Sequence, residues 1–128
     1  MKKRYLIVVA DYYKDIAKGL LESALKLIPK SNFIKIIKVP GVFEIPVTIS
    51  KNIKKYDAFL ALGCVIKGET PHFDFISDAS TKAILKLSII NKKPIGNGII
   101  TCLNMQQAIA RKKKGSEAAQ AVISVLSQ

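Results

Sequence analysis

Four stretches of the chain are apolar over the length of a β-strand. They run from Arg4 to Ala10 (RYLIVVA), Phe33 to Val39 (FIKIIKV), Ala58 to Ile66 (AFLALGCVI) and Ile95 to Thr101 (IGNGIIT). The first and third are nearly unbroken in apolar character, the pattern of strands covered on both faces. Elsewhere apolar residues recur every three or four positions: Ile16, Leu20, Ala24 and Leu27; Ile76, Ala79, Ala83, Leu87 and Ile90; Ala118, Val122 and Val125. Each set predicts a helix with one apolar stripe. Gly41 to Ile53 predicts a shorter helix, in which Pro46 is tolerable only within the first turn. Asn104 to Lys113 predicts another. Pro29 to Asn32, Asn91 to Pro94 and Lys114-Gly115 punctuate the elements.

Strand and helix thus alternate four times before a last helix. That order predicts an α/β protein with a parallel sheet, right-handed crossovers and helices on both faces. Residues 1–128 read as a single domain, without repeats, low-complexity segments or linkers. In such folds ligands bind outside the carboxyl ends of the strands. The rule singles out Asp11-Tyr12-Tyr13, Pro40 to Glu44, Lys67 to His72, and the residues from Thr101 onward.

Composition narrows the class. A hydrophobic share of 49% with 23% charged residues is that of a folded domain rather than a disordered one. No apolar run is long enough to span a bilayer. Met1-Lys2-Lys3-Arg4 resembles the front of a signal peptide, but Tyr5 to Ala10 is short and meets Asp11 without a cleavage site. A cytoplasmic protein without a membrane partner is expected. Cys64 and Cys102 lie in or beside strand-like segments and read as buried free thiols. One histidine and no Cys-x-x-Cys predict no metal site. The net charge of +12 invites a nucleic-acid reading, but the lysines are scattered and rarely interleaved with aromatics. Solvated lysine faces and no nucleic-acid partner are expected; only Arg111 to Lys114 forms a true cluster.

Several residues at the strand ends can carry chemistry. Thr70-Pro71 predicts a helix start, with Thr70 as N-cap, Pro71 at the first helical position and Gly68 allowing an unusual turn before it. The amides of such a terminus can hold phosphate, or Thr70 can simply cap. His72, the only histidine, can exchange protons near neutral pH or serve no role. Glu44 can satisfy backbone donors of its own helix or accept from a polyol. Tyr12 and Tyr13 offer an aromatic face to a planar ligand, although at least one should pack between helix and sheet. Arg111 and Lys114 can complement a helix C-terminus or grip phosphate.

Four blocks in order, VPGVFEIP (Val39 to Pro46), ALGCVIKGETPHFDF (Ala61 to Phe75), GNGIITCLNMQQAIAR (Gly96 to Arg111) and KGSEAA (Lys114 to Ala119), resemble the lumazine synthase family. The resemblance covers nearly the whole chain. It implies a flavodoxin-like three-layer α/β/α sandwich, with a four-stranded parallel sheet of order 2-1-3-4. It implies condensation of 5-amino-6-(D-ribitylamino)uracil with 3,4-dihydroxy-2-butanone 4-phosphate in riboflavin biosynthesis, releasing phosphate and water, without metal or organic cofactor. His72 matches the general acid/base. Tyr12 matches an aromatic that stacks on the pyrimidine. Val42, Phe43 and Glu44 match the segment that holds the ribityl chain. Cys64, Val65 and Ile66 would line the pyrimidine edge. Asn97 would come from a neighbouring subunit. Glu69, Thr70, Arg111 and Lys114 match phosphate-binding positions. The chain departs from the family in having Asp11-Tyr12-Tyr13 where Arg-Phe-Asn is commoner, Asn97 where Phe is frequent, and a shorter link between Arg111 and Lys114.

The resemblance further implies a homo-oligomer, a pentamer with active sites between subunits. Some members assemble twelve pentamers into a shell. Here the start close to the first strand and the shortened link predict an isolated pentamer. Two other readings are a non-catalytic member that binds lumazine or flavin, and a phospho-receiver domain. The latter needs an acidic cluster after the first strand, and Asp11 alone is too little.

Overall fold

A computed structural model describes residues 2–128. The elements run β1 (Arg4–Ala10), α1 (Lys14–Leu27), β2 (Phe33–Val39), a 3-10 turn (Val42–Glu44), α2 (Ile45–Lys51), β3 (Ala58–Ile66), α3 (His72–Asn91), β4 (Ile95–Cys102), α4 (Met105–Ala110) and α5 (Lys114–Leu126). All pairings are parallel, and the sheet order is β2-β1-β3-β4. The two unbroken apolar runs are therefore the two central strands. Tyr5 to Ala10 and Ala58 to Cys64 are buried, whereas the edge strand β2 is largely exposed.

Alternation along β1 separates two cores. Tyr5, Ile7 and Val9 pack with Ile16, Leu20 and Ala24 of α1 and Ala118, Ala119 and Val122 of α5. Leu6, Val8 and Ala10 pack with Ile45 and Ile49 of α2 and Ile84 of α3. Helices thus cover both faces, the three-layer arrangement implied by the alternation of elements. Pro46 falls in the first turn of α2, where its missing N–H costs nothing.

Some sequence expectations need correction. On α3 the buried residues are Ser80 and Ile84, while Ala79 and Ile90 are exposed. Ile76 and Leu87 of the predicted stripe do pack, half-buried, against the core, but the helix also exposes Phe75, Leu85 and Ile89, so apolar residues occupy more than one face. Leu27 and Val125 are likewise exposed at the last turns of their helices. No glycine has positive φ, so Gly68 makes no unusual turn; the left-handed residue is Lys92, which closes α3. The predicted helix from Asn104 to Lys113 ends at Ala110. Lys114-Gly115 opens α5 instead of breaking the chain.

Candidate active site

The chain leaves β1 toward β2 on one side of the sheet and later adds β3 on the other. The carboxyl ends of β1 and β3 therefore diverge, and a crevice opens between the loops that follow them. A cavity of about 650 Å³ occupies this point. It is lined by Tyr12, Tyr13, Gly41, Val42, Phe43, Glu44, Cys64, Val65, Ile66, His72 and Ile76. Eight residues that the family resemblance assigns to the site thus meet there, Tyr12, Val42, Phe43, Glu44, Cys64, Val65, Ile66 and His72, together with Tyr13, nominated for its aromatic face.

Each is placed by a local cause. Tyr12 follows β1 and is 74% exposed, its ring edge-on to that of Tyr13 at 4.9 Å. Tyr13 is the tyrosine that packs: it is half-buried against the core beneath α1. Pro40-Gly41 turns the chain after β2, and the Glu44 N–H closes the turn on the Gly41 carbonyl at 3.2 Å. A side chain at Gly41 would come within 3.1 Å of the Glu44 carboxylate, so the glycine keeps that oxygen accessible. The Glu44 carboxylate caps no helix and joins no ion pair among the described residues. The capping alternative for it is thereby excluded.

The turn after β3 differs from its predicted form. α3 begins at His72, with Pro71 rather than Thr70 in the capping position, one residue later than predicted. Thr70 still receives the His72 N–H through its hydroxyl, at a long 3.4 Å. Glu69 and Thr70 are exposed on this turn and do not line the cavity.

Asn97, Arg111 and Lys114 lie elsewhere. They line a second cavity of about 760 Å³ with Ile99, Ile100, Thr101, Ala110, Lys113 and Glu117. Arg111 follows the last turn of α4, and Lys114 starts α5, where its ammonium lies 3.6 Å from Glu117. Asn97 is exposed on β4, its side-chain oxygen accepting the Ile99 N–H at 3.1 Å. Within one chain, the cationic groups and His72 therefore serve different hollows. Ile76 in the first cavity, and Ile99 and Ile100 in the second, went unnominated. Ile76 was legible as the residue one helical turn beyond His72.

Cys64 and Cys102 are buried and free. Burial first, then the charge and hydrogen bond of Cys102, push the Cys64 thiol from 9.0 up to about 12. The folded state therefore holds a proton that the unfolded chain releases. This contribution to stability is complete below pH 9 and is lost as pH rises toward 12. Urea midpoints measured from pH 8 to 11 should fall with pH, and Cys64→Ala should show a shallower fall. Equal slopes would contradict the assigned burial of the thiol. No group of three potential metal ligands occurs among the described residues. No helix there is long and apolar enough to cross a membrane.

The crevice at the diverging strand ends, with an accessible carboxylate, an imidazole and aromatic faces, defines a doubly wound α/β enzyme for a small polar ligand. The family profile of 6,7-dimethyl-8-ribityllumazine synthase matches residues 2–128. A 6,7-dimethyl-8-ribityllumazine synthase 1 from Rhodopseudomonas palustris is 42% identical over 136 residues, covering 96% of this chain and 83% of the relative. A 6,7-dimethyl-8-ribityllumazine synthase from Agrobacterium fabrum is 41% identical, covering 98% and 93%. One from Cutibacterium acnes is 40% identical, covering 94% and 78%. This chain belongs to the 6,7-dimethyl-8-ribityllumazine synthase family.

Proposed function

We propose that this protein is a lumazine synthase that condenses 5-amino-6-(D-ribitylamino)uracil with 3,4-dihydroxy-2-butanone 4-phosphate, in a site formed where two copies of the chain meet. The carrying observation is the division of the site-forming residues between two cavities. One has aromatic and polyol-accepting groups with His72, and the other has Asn97, Arg111 and Lys114. Neither alone suits both a planar heterocycle and a phosphate.

The pyrimidine lies against Tyr12 with its edge on the Cys64 to Ile66 strand end. Glu44 accepts from the ribityl hydroxyls, and Val42 and Phe43 flank the chain. Glu69 and Thr70 flank the phosphate on the turn beside His72, while Arg111 and Lys114 of the adjoining copy hold it. Asn97 closes the same hollow. The pyrimidine's own amine attacks the ketone, so no enzyme lysine forms a covalent bond to substrate. His72 carries protons during imine formation, phosphate loss, ring closure and dehydration. Confinement of two reactants supplies much of the barrier reduction. No cofactor takes part.

Apolar side chains exposed on one chain, including Phe43, Phe75, Leu85, Ile89 and Ile90, support association. The assembly is an isolated homopentamer in the cytoplasm, without nucleic acid or membrane partners. Purified protein should release one phosphate for each lumazine formed, and native mass spectrometry should report five chains. Absence of turnover with both substrates supplied would leave the non-catalytic binding reading; a monomer that turns over would end the shared site.

A further inference from the structure

Tyr13 lines the first cavity, yet no side chain or backbone group among the described residues uses its hydroxyl. Its position is fixed from three sides. Its carbonyl accepts the Ala17 N–H at 2.9 Å where α1 begins. Its ring packs on the core shared by β1, α1 and β3 and stands at 85° to the Tyr12 ring. It lines the cavity beside Cys64, Val65 and Ile66. No protein atom among the described residues hydrogen-bonds the hydroxyl, and it is not among the side-chain oxygens sealed from water, where only that of Ser77 lacks a partner.

Burial raises the Tyr13 phenol above its ordinary value of 10.0, and Cys64 and then Tyr12 raise it further. Near neutral pH the group is therefore an O–H donor, on a side chain that lines the same cavity as Cys64. The neighbouring wall is mostly apolar, so a donor left open there suits a ligand that brings an acceptor.

We propose that Tyr13 is a substrate-binding residue whose hydroxyl donates a hydrogen bond to a carbonyl oxygen on the rim of the pyrimidine, while Tyr12 covers the ring's face. The assignment rests on the functional reading above and extends it to a residue that departs from the commoner family pattern. One rigid aromatic corner then serves two tasks: Tyr13 braces Tyr12 edge-on and also reads the heterocycle's rim.

Tyr13→Phe deletes only the oxygen and keeps the packing. A single neutral hydrogen bond predicts a rise of about fivefold in KM for the pyrimidine, with kcat changed by less than about twofold. KM for the keto-phosphate and the melting temperature should stay at wild-type values. An unchanged pyrimidine KM in an active protein overturns the assignment. So does an equal loss for both substrates, because that pattern marks a structural role of the residue. Wild-type protein inert toward both substrates would instead remove the functional reading, and this assignment with it.

Discussion

Gly115→Ala should destabilise the protein by about 3 kcal/mol, near the upper end of what overpacking costs, and lower its melting temperature on the order of 10 °C. Gly115 is buried in the first turn of α5, where that helix crosses α1. A Cβ at this position would fall inside contact distance of the Leu20 carbonyl oxygen and close to the Ser23 hydroxyl. The obstacle is helix backbone, which cannot rotate away as a side chain could. Relief requires α5 to move off α1, opening the core that Ala118, Ala119 and Val122 share with Leu20 and Ala24. It also displaces Lys114 and the turn that carries Arg111. Gly68→Ala is the matching control. Its Cβ would meet nothing within 4 Å and its φ is not positive, so its stability should stay within about 0.5 kcal/mol of wild type or rise slightly. Chemical denaturation of both variants checks the contrast, and equal midpoints would refute this account of the α1–α5 crossing.

Sequence patterns reveal much of this architecture because burial here follows strand order. β1 and β3 read as unbroken apolar runs since they are central in the sheet, and the ranges of the first three strands agree with the structure residue for residue. Helix faces were less legible. α3 carries Phe75, Leu85, Ile89 and Ile90 outward, and a stripe cannot be phased when two faces are apolar. Gly115 illustrates a related limit. Glycine beside lysine reads as a break, but here its value is the absence of a Cβ at a helix crossing, which only tertiary contact reveals.

The site divides in the same way. Residues directly after strand ends were nominated from the topology rule alone, and those of β1, β2 and β3 converge. The rule fails for Arg111 and Lys114 because it treats all loops at that end as facing one crevice. β4 is an edge strand two places from β1, so the segment after it opens a different hollow. Nothing local to Arg111 records that separation. The resolution proposed above is a second copy that brings the one hollow against the other.

Complementation between two disabled variants tests that resolution directly. His72→Ala should lower kcat/KM by about 100-fold, the lower end for loss of a positioned acid/base. Arg111→Ala should cost roughly 10- to 100-fold through lost charge-assisted hydrogen bonds to the phosphate. If each site takes His72 from one copy and Arg111 from the next, a refolded equimolar mixture contains interfaces where both intact faces meet. Random assembly in a cyclic oligomer makes these about a quarter of all sites, so the mixture should regain about a quarter of wild-type activity. Native mass spectra should confirm that both variants share the same assemblies. When both groups serve one site within a single chain, every chain in the mixture remains disabled and mixing restores nothing. Mixed assemblies no more active than their parents would therefore place His72 and Arg111 in the same protomer's site, against the separation of their two cavities.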